Sequence, residues 1–164
     1  MDTPSLLQFL DQLEIQYDYH EHVAVYTSEQ ARRLIQPLPG VSAKNLFLRD
    51  KKGRRHFMLT VDDSKTVNLK SLAASQGISG LSLASAERLL KYLVVTPGAV
   101  SLMSLVNDME GKVEALIDED LWQADKLHCH PLINTATLVI PLDGIKKFLS
   151  ATHHSPTFVK IPSL

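Results

Sequence analysis

The chain has 164 residues, 45% of them hydrophobic and 21% charged, which suits one domain with a proper core. A formal net charge of -1 excludes a protein that grips nucleic acid over its whole surface. No apolar run approaches the roughly 20 residues that span a bilayer, Met1-Asp2-Thr3-Pro4 lacks the basic stretch of a secretory signal, and the single Cys129 has no internal partner, so the expectation is one soluble domain, 1–164, in the reducing cytoplasm.

Along the chain, Thr3 is placed to cap a first helix with Pro4 at its first position, and Leu6, Leu7, Leu10 and Leu13 fall on one face that should pack on a sheet. A short extended stretch follows Tyr17-Asp18-Tyr19-His20, and Thr27-Ser28-Glu29-Gln30 reads as a capping box for a helix ending before Pro37-Leu38-Pro39-Gly40. That loop delivers the chain to Lys44-Asn45-Leu46-Phe47-Leu48-Arg49-Asp50, a cation and an amide at the mouth of an apolar strand. Leu46 and Leu48 are expected on one face and Phe47 and Arg49 on the other, with Asp50-Lys51-Lys52-Gly53 turning into a second strand from about Arg55 to Val61. At the start of a rigid hairpin, Lys44 and Asn45 would be fixed beside a cleft; an ordinary solvated lysine is the alternative. Lys51, Lys52, Arg54 and Arg55 crowd the hairpin turn and are expected beside Lys44. They read either as a patch that neutralises phosphates or as a solvated turn that protects a sheet edge.

Asn68 is expected to cap a short helix carrying Leu69, Leu72 and Ala73, stopped by Gly77. Leu81-Ser82-Leu83 reads as a short strand, and Ser85 with Glu87 opens a helix through Leu90 or Tyr92. Val95-Thr96-Pro97-Gly98-Ala99-Val100 is a turn in which Gly98 permits a positive φ or a close backbone approach. A polar turn from Asn107 to Gly111 precedes a strand at Val113–Ile117, and Glu119 to Ala124 makes a helical turn whose Leu121 and Trp122 read as core. Thr137–Ile140 is a buried strand, and Asp143 is expected to cap a last helix bearing Ile145, Phe148 and Leu149. Strands and helices interspersed without a βαβ period or a G-x-G-x-x-G point to an α/β fold of the mixed α+β kind, a mixed sheet covered by helices, rather than a doubly wound one.

The familiar catalytic kits are missing, since there is no G-x-S-x-G, and Cys129 in a strand would point away from His128 and His130. Those two histidines would share a face and are open to reading as metal ligands, with a third from His20, His22, His153 or His154 that the spacing does not select. Asp62-Asp63 and Asn107-Asp108 are set aside as acid/base pairs because adjacent side chains diverge.

Taken in order, Lys44 to Lys52, Leu81 to Leu89, Val95 to Val100 and His130-Pro131-Leu132-Ile133-Asn134 resemble the prolyl-tRNA editing proteins, free-standing YbaK-like relatives of the editing domain inserted in bacterial prolyl-tRNA synthetases. The likeness runs from about His20-Glu21-His22 through His153-His154. It implies a central, mixed and largely antiparallel sheet, and a deacylase acting in trans on mischarged tRNA for proline. Alanine is the first expectation for the amino acid, and a Cys- or Ser-tRNA deacylase or a non-catalytic tRNA-binding module are the alternatives. It implies catalytic roles for Lys44 and Asn45, substrate-binding roles for Thr27, Gly98, Ala99, Val100 and His130, and tRNA-binding roles for Lys51, Lys52, Arg54 and Arg55. No cofactor, metal or membrane is implied. The partner is tRNA through its 3′ acceptor end, with prolyl-tRNA synthetase as a further candidate. In the family the glycine loop usually reads G-x-x-x-P; here Leu102 stands where proline is usual and Val94 where glycine is common.

Overall fold

The structure is a computed structural model that describes residues 1–162. Helix α1 (Thr3–Gln12) is capped by Asp2, whose carboxylate accepts from the Ser5 amide at 2.9 Å. Thr3, the expected cap, lies one residue inside and donates its hydroxyl to the Pro131 carbonyl at 2.6 Å. Asp outranks Thr at this position, and the threonine is freed to tie the helix to the far loop. Leu6 and Leu10 are fully buried, as the stripe required.

Strand β1 (Asp18–Glu21) leads to α2 (Ser28–Leu34), where Thr27 accepts from the Gln30 amide at 3.1 Å. The Gln30 side chain accepts from Tyr26 at 2.8 Å, so the box closes one residue further out than expected. Strands β2 (Ala43–Asp50) and β3 (His56–Asp62) form the antiparallel hairpin, with Lys44 opposite Val61 and Arg49 opposite His56. Helix α3 (Leu69–Gln76), strand β4 (Leu81–Leu83) and helix α4 (Ala86–Leu93) follow, with Asn68, Gly77 and Ser85 as the expected caps. Two 3-10 turns, Pro97–Ala99 and Leu102–Asn107, precede β5 (Val113–Asp118), and a third, Glu119–Gln123, precedes β6 (Lys126–Cys129). Strand β7 (Ala136–Pro141), helix α5 (Leu142–Ala151) and β8 (Thr157–Val159) complete the order. Asp143 sits in the first turn of α5 rather than at its cap, which is Pro141 without a side-chain bond. The Leu142 amide is satisfied by the Asp125 carbonyl at 2.9 Å instead.

The strands sort into a five-stranded sheet, β4-β2-β3-β5-β8, and a three-stranded sheet, β1-β7-β6. The larger is mixed, antiparallel at β2 and parallel from β3 through β5 to β8; the smaller is antiparallel throughout. They are joined at Val41, whose amide donates to the Lys126 carbonyl at 2.9 Å and whose carbonyl accepts from His128 at 3.1 Å. Gly40 makes this approach possible: its φ is +97°, and a Cβ there would stand 2.8 Å from the Lys126 oxygen. β3 is buried along its length, with Met58 in a core drawn from both sheets and from α1, α4 and α5, and Phe57, Leu59 and Val61 in a second core under α3. Among the described residues no helix is long and apolar enough to cross a membrane.

Candidate active site

A cleft of about 560 Å³ opens beside the Val41 bridge. It is walled by the start of β2, the loop after β3, the Pro97–Val100 turn, the end of β6, and the arm from Val25 into α2. Thr27, Lys44, Asn45, Gly98, Val100 and His130, far apart in sequence, all line it. Ala99 does not; it is buried in the core, because the 3-10 turn that presents its neighbours points its methyl inward. Nor does the basic turn lie beside Lys44. Lys44 opens β2 and the turn closes it, so the two are about 20 Å apart at roughly 3.3 Å per residue. Within that turn Arg55 is engaged elsewhere, paired with Glu114 at 2.9 and 2.8 Å and 5.0 Å over the Phe57 ring.

Alternation along β2 sends Lys44 and Asn45 to opposite faces, and both reach the cleft because it wraps the end of the sheet. The Lys44 ammonium donates to the Lys65 carbonyl. That loop is anchored in turn by the Lys65 amine, which reaches Asp118 at 2.9 Å and Asp120 at 2.6 Å. Burial works against the Lys65 charge, but the bonds to Asp120 and Asp118 outweigh it and hold its pKa above the ordinary value. Asn45 accepts the Thr60 hydroxyl at 2.7 Å on its oxygen, which leaves its amide nitrogen as the donor it offers the cleft.

His130 donates its Nδ1–H to the Ala136 carbonyl at 3.1 Å, so its Nε2 is a bare acceptor. Burial holds its pKa below the ordinary value, the Ala136 bond countering less strongly and His22 adding to the depression, so the ring is neutral at pH 7. His22 stands edge-on, 6.4 Å away between ring centroids. It donates Nδ1–H to the Val23 carbonyl at 2.8 Å and accepts the Thr137 hydroxyl on Nε2 at 2.8 Å, and Thr137 lines the cleft. His128 pins the proline-rich loop by donating to the Pro39 carbonyl at 2.8 Å. The histidines thus have separate partners, and among the described residues no group of three His, Cys, Asp or Glu is arranged to hold a metal ion. Cys129 borders the cleft, but burial pushes its thiol up to about 12, too high for a thiolate nucleophile at neutral pH.

Gly98 serves close approach rather than a positive φ: a Cβ there would lie 2.9 Å from the Tyr26 ring and 3.1 Å from the Asn134 amide. Asn134 also donates to the Val25 carbonyl at 3.2 Å, so the end of the His130-Pro131-Leu132-Ile133-Asn134 segment straps the Val25–Tyr26 arm across the Pro-Gly turn. Asp62 and Asp63, set aside as catalytic carboxylates, both line the cleft. Asp62 accepts from Ser64, and Asp63 meets Arg32 of α2 at 3.5 Å. No spacing in the sequence announces these contacts or the His22–Thr137 pair. Val94 caps α4 at φ +56°, taking up the left-handed conformation that glycine would hold more easily, and Leu102 is buried in the core.

Residues 22–148 match the family described as the aminoacyl-tRNA editing domain. Over 142 residues the chain is 39% identical to the prolyl-tRNA editing protein ProX of Acetoanaerobium sticklandii, covering 87% of each. It is 36% identical over 156 residues to prolyl-tRNA synthetase associated domain-containing protein 1 of Danio rerio, covering 94% of this chain and 84% of that one. Its fold is similar to a solved structure described as a candidate trans-editing enzyme for prolyl tRNA synthetase, with a TM-score of 0.68 at 17% identity and 99% of both chains covered.

Proposed function

The chain belongs to the aminoacyl-tRNA editing domain family, and from that membership and the chemistry of the cleft we propose that it hydrolyses, in trans, the ester of tRNA for proline mischarged with alanine. The observation that carries the reading is the convergence of Lys44, Asn45, Gly98 and His130 on one cleft of about 560 Å³, within the size range of small-molecule sites. A synthetase pocket built for proline discriminates against a smaller side chain by only about 1–3 kcal/mol, so a second sieve that admits alanine and rejects the proline ring is chemically required.

An aminoacyl ester is already reactive, so positioning suffices. Lys44 and the Asn45 amide nitrogen supply positive charge and a donor where the oxyanion develops, and the Gly98 backbone lies against the substrate. The bare Nε2 of neutral His130 orients the attacking water, and a hydroxyl of the terminal ribose carries its proton. The substrate partner is tRNA, the compartment is the cytoplasm, and the reaction follows the synthetase that makes the error.

The test is deacylation of tRNA for proline charged separately with alanine, serine and proline, with cysteinyl-tRNA as control. Loss of alanine with proline spared is expected; preferential loss of cysteine keeps the site and moves the substrate, and no hydrolysis overturns the reading. Lys44→Ala should stay folded and lose most turnover, and near-normal rates would remove Lys44 from the chemistry.

A further inference from the structure

An apolar surface on the outer side of α4 has no part in the cleft. Leu89 and Leu93 of this helix are buried in the core, while Leu90 and the cap residue Val94, one turn apart on the outward face, are 57% and 54% exposed. The turn before β5 stands against the end of the same helix. Asn107 donates its amide to the Leu93 carbonyl at 2.9 Å, and its oxygen accepts from the Met1 ammonium at 2.7 Å, which brings half-exposed Met1 to the same place. Two residues further on, Met109 is 93% exposed. None of these four apolar side chains lines the cleft.

The turn that carries Met109 is held from within. Asp108 is buried, and its carboxylate accepts the amides of Lys112 at 3.0 Å and Val113 at 2.8 Å. His154, also buried, donates its Nε2–H to that carboxylate at 2.8 Å and ties the turn to the chain beyond α5. An adaptable methionine is thus displayed on a fixed platform, which reduces the ordering that docking requires. Val94 adds to the same surface a β-branched residue at φ +56°, and in the isolated chain its side chain gains little from being there.

The charges around the patch identify what covers it. Glu87 and Lys91 flank Leu90, one turn apart on α4, and among the described residues neither forms an ion pair; Lys91 lies over the Tyr92 ring at 5.4 Å. Beside Met109, Glu110 and Lys112 neutralise each other at 2.8 Å. A rim without net charge suits neither a nucleic acid nor an anionic lipid surface. One acid and one base spaced along a helix are instead complementary to the same helix reversed, the requirement of a two-fold interface.

We propose that this face binds a second copy of the chain, with the two α4 helices antiparallel about an axis beside Leu90, so that Glu87 of each copy faces Lys91 of the other. Eight residues make α4 about 12 Å long at 1.5 Å per residue, so Met109, at its C-terminal end, covers the exposed first turn of the opposite helix at Ala86. The inference is independent of the editing reading.

Sedimentation equilibrium of the full chain over a concentration series should show monomer and dimer with a Kd on the order of 10–100 µM, because four side chains cover less than the ~800 Å² per partner of a stable complex. Met109→Ser should raise Kd about tenfold while the urea midpoint in dilute solution, where the chain is monomeric, stays unchanged. Glu87→Lys and Lys91→Glu place like charges across the axis, and each alone should weaken association about tenfold. An equimolar mixture of those two variants should associate as the unmodified protein does, because each charge then meets its opposite, an effect that local damage to α4 cannot produce. A chain monomeric at every concentration overturns the proposal, as does a dimer indifferent to Met109→Ser or a mixture no stronger than its components. Co-sedimentation of a monomeric chain with phosphatidylcholine vesicles would likewise overturn it, giving the patch to a lipid surface.

Discussion

Gly98 shows how a single missing side chain shapes the cleft. Tyr26 is 71% exposed and rests where a Gly98 Cβ would be, so Gly98→Ala pushes the ring and the Asn134 strap outward without disturbing the core. The expected result is a urea midpoint close to the original with kcat/KM down about 10- to 100-fold, the cost of a displacement near 1 Å at a reacting centre. Unchanged turnover would show that the Tyr26 contact does not set the site. His56 makes a second residue-scale case, this one in stability. Burial and Arg88 depress its folded pKa below the ordinary 6.5, so the unfolded chain takes up a proton first as pH falls. Stability from this residue is complete above about 6.5 and drains as pH drops from there toward the lower folded value. Urea midpoints measured from pH 7.5 to 5 should therefore decline, and His56→Gln, which can still accept from Arg88, should flatten the decline. The same slope in both proteins would assign it to other groups. Lys44, Asn45, Gly98 and His130 were legible because they sit in ordered motifs. The His22–Thr137 pair was not, because 115 residues separate its members and only the β1–β7 pairing brings them together.

At the scale of elements, capping chemistry was the readable part: Thr27, Asn68, Gly77 and Ser85 each terminate a helix as their side chains or their conformational freedom dictate. Thr3 and Asp143 misled because the neighbouring Asp2 is the stronger cap in one case, and in the other the Asp125 carbonyl satisfies the first amide from another segment. The end of α4 holds a correctable strain. Val94 is β-branched, exposed and at φ +56°, a conformation that costs an ordinary residue about 1–2 kcal/mol. Val94→Gly relieves that strain but gives the unfolded chain more freedom, so the net gain expected is about 0.5–1 kcal/mol, read as a higher urea midpoint with unchanged deacylation. A lower midpoint would mean that the valine side chain contributes packing that its exposure does not reveal.

For the whole molecule, helices and strands alternate as expected, but the strands divide between two sheets where the sequence pattern suggested one. The short extended stretch expected after His20 begins earlier, as β1 at Asp18–Glu21, the three residues of β8 carry no turn or alternation signal of their own, and no local signal tells which strands will share a sheet. Among the described residues the one isolated bridge between the sheets is at Val41, and the cleft lies beside it, so the geometry of the site depends on Gly40. Two glycine substitutions separate that long-range role from the local cost of a positive φ. Gly77, at φ +66° with no atom within 4 Å of a built Cβ, should lose only about 1 kcal/mol on conversion to alanine, and Gly77→Ala should leave hydrolysis intact. Gly40 carries φ +97° and the 2.8 Å approach to the Lys126 oxygen, which belongs to backbone and cannot swing aside. Gly40→Ala should therefore cost about 1–3 kcal/mol through strain, more if the bridge parts, and it should also raise KM because the wall carrying Lys44 moves relative to the wall carrying His130. Urea melts and deacylation kinetics on both variants decide the matter. Equal stability losses with equal activity would show that the two sheets hold their relation without the bridge, and a KM change confined to Gly40→Ala would show that the cleft is shaped by the joint between them.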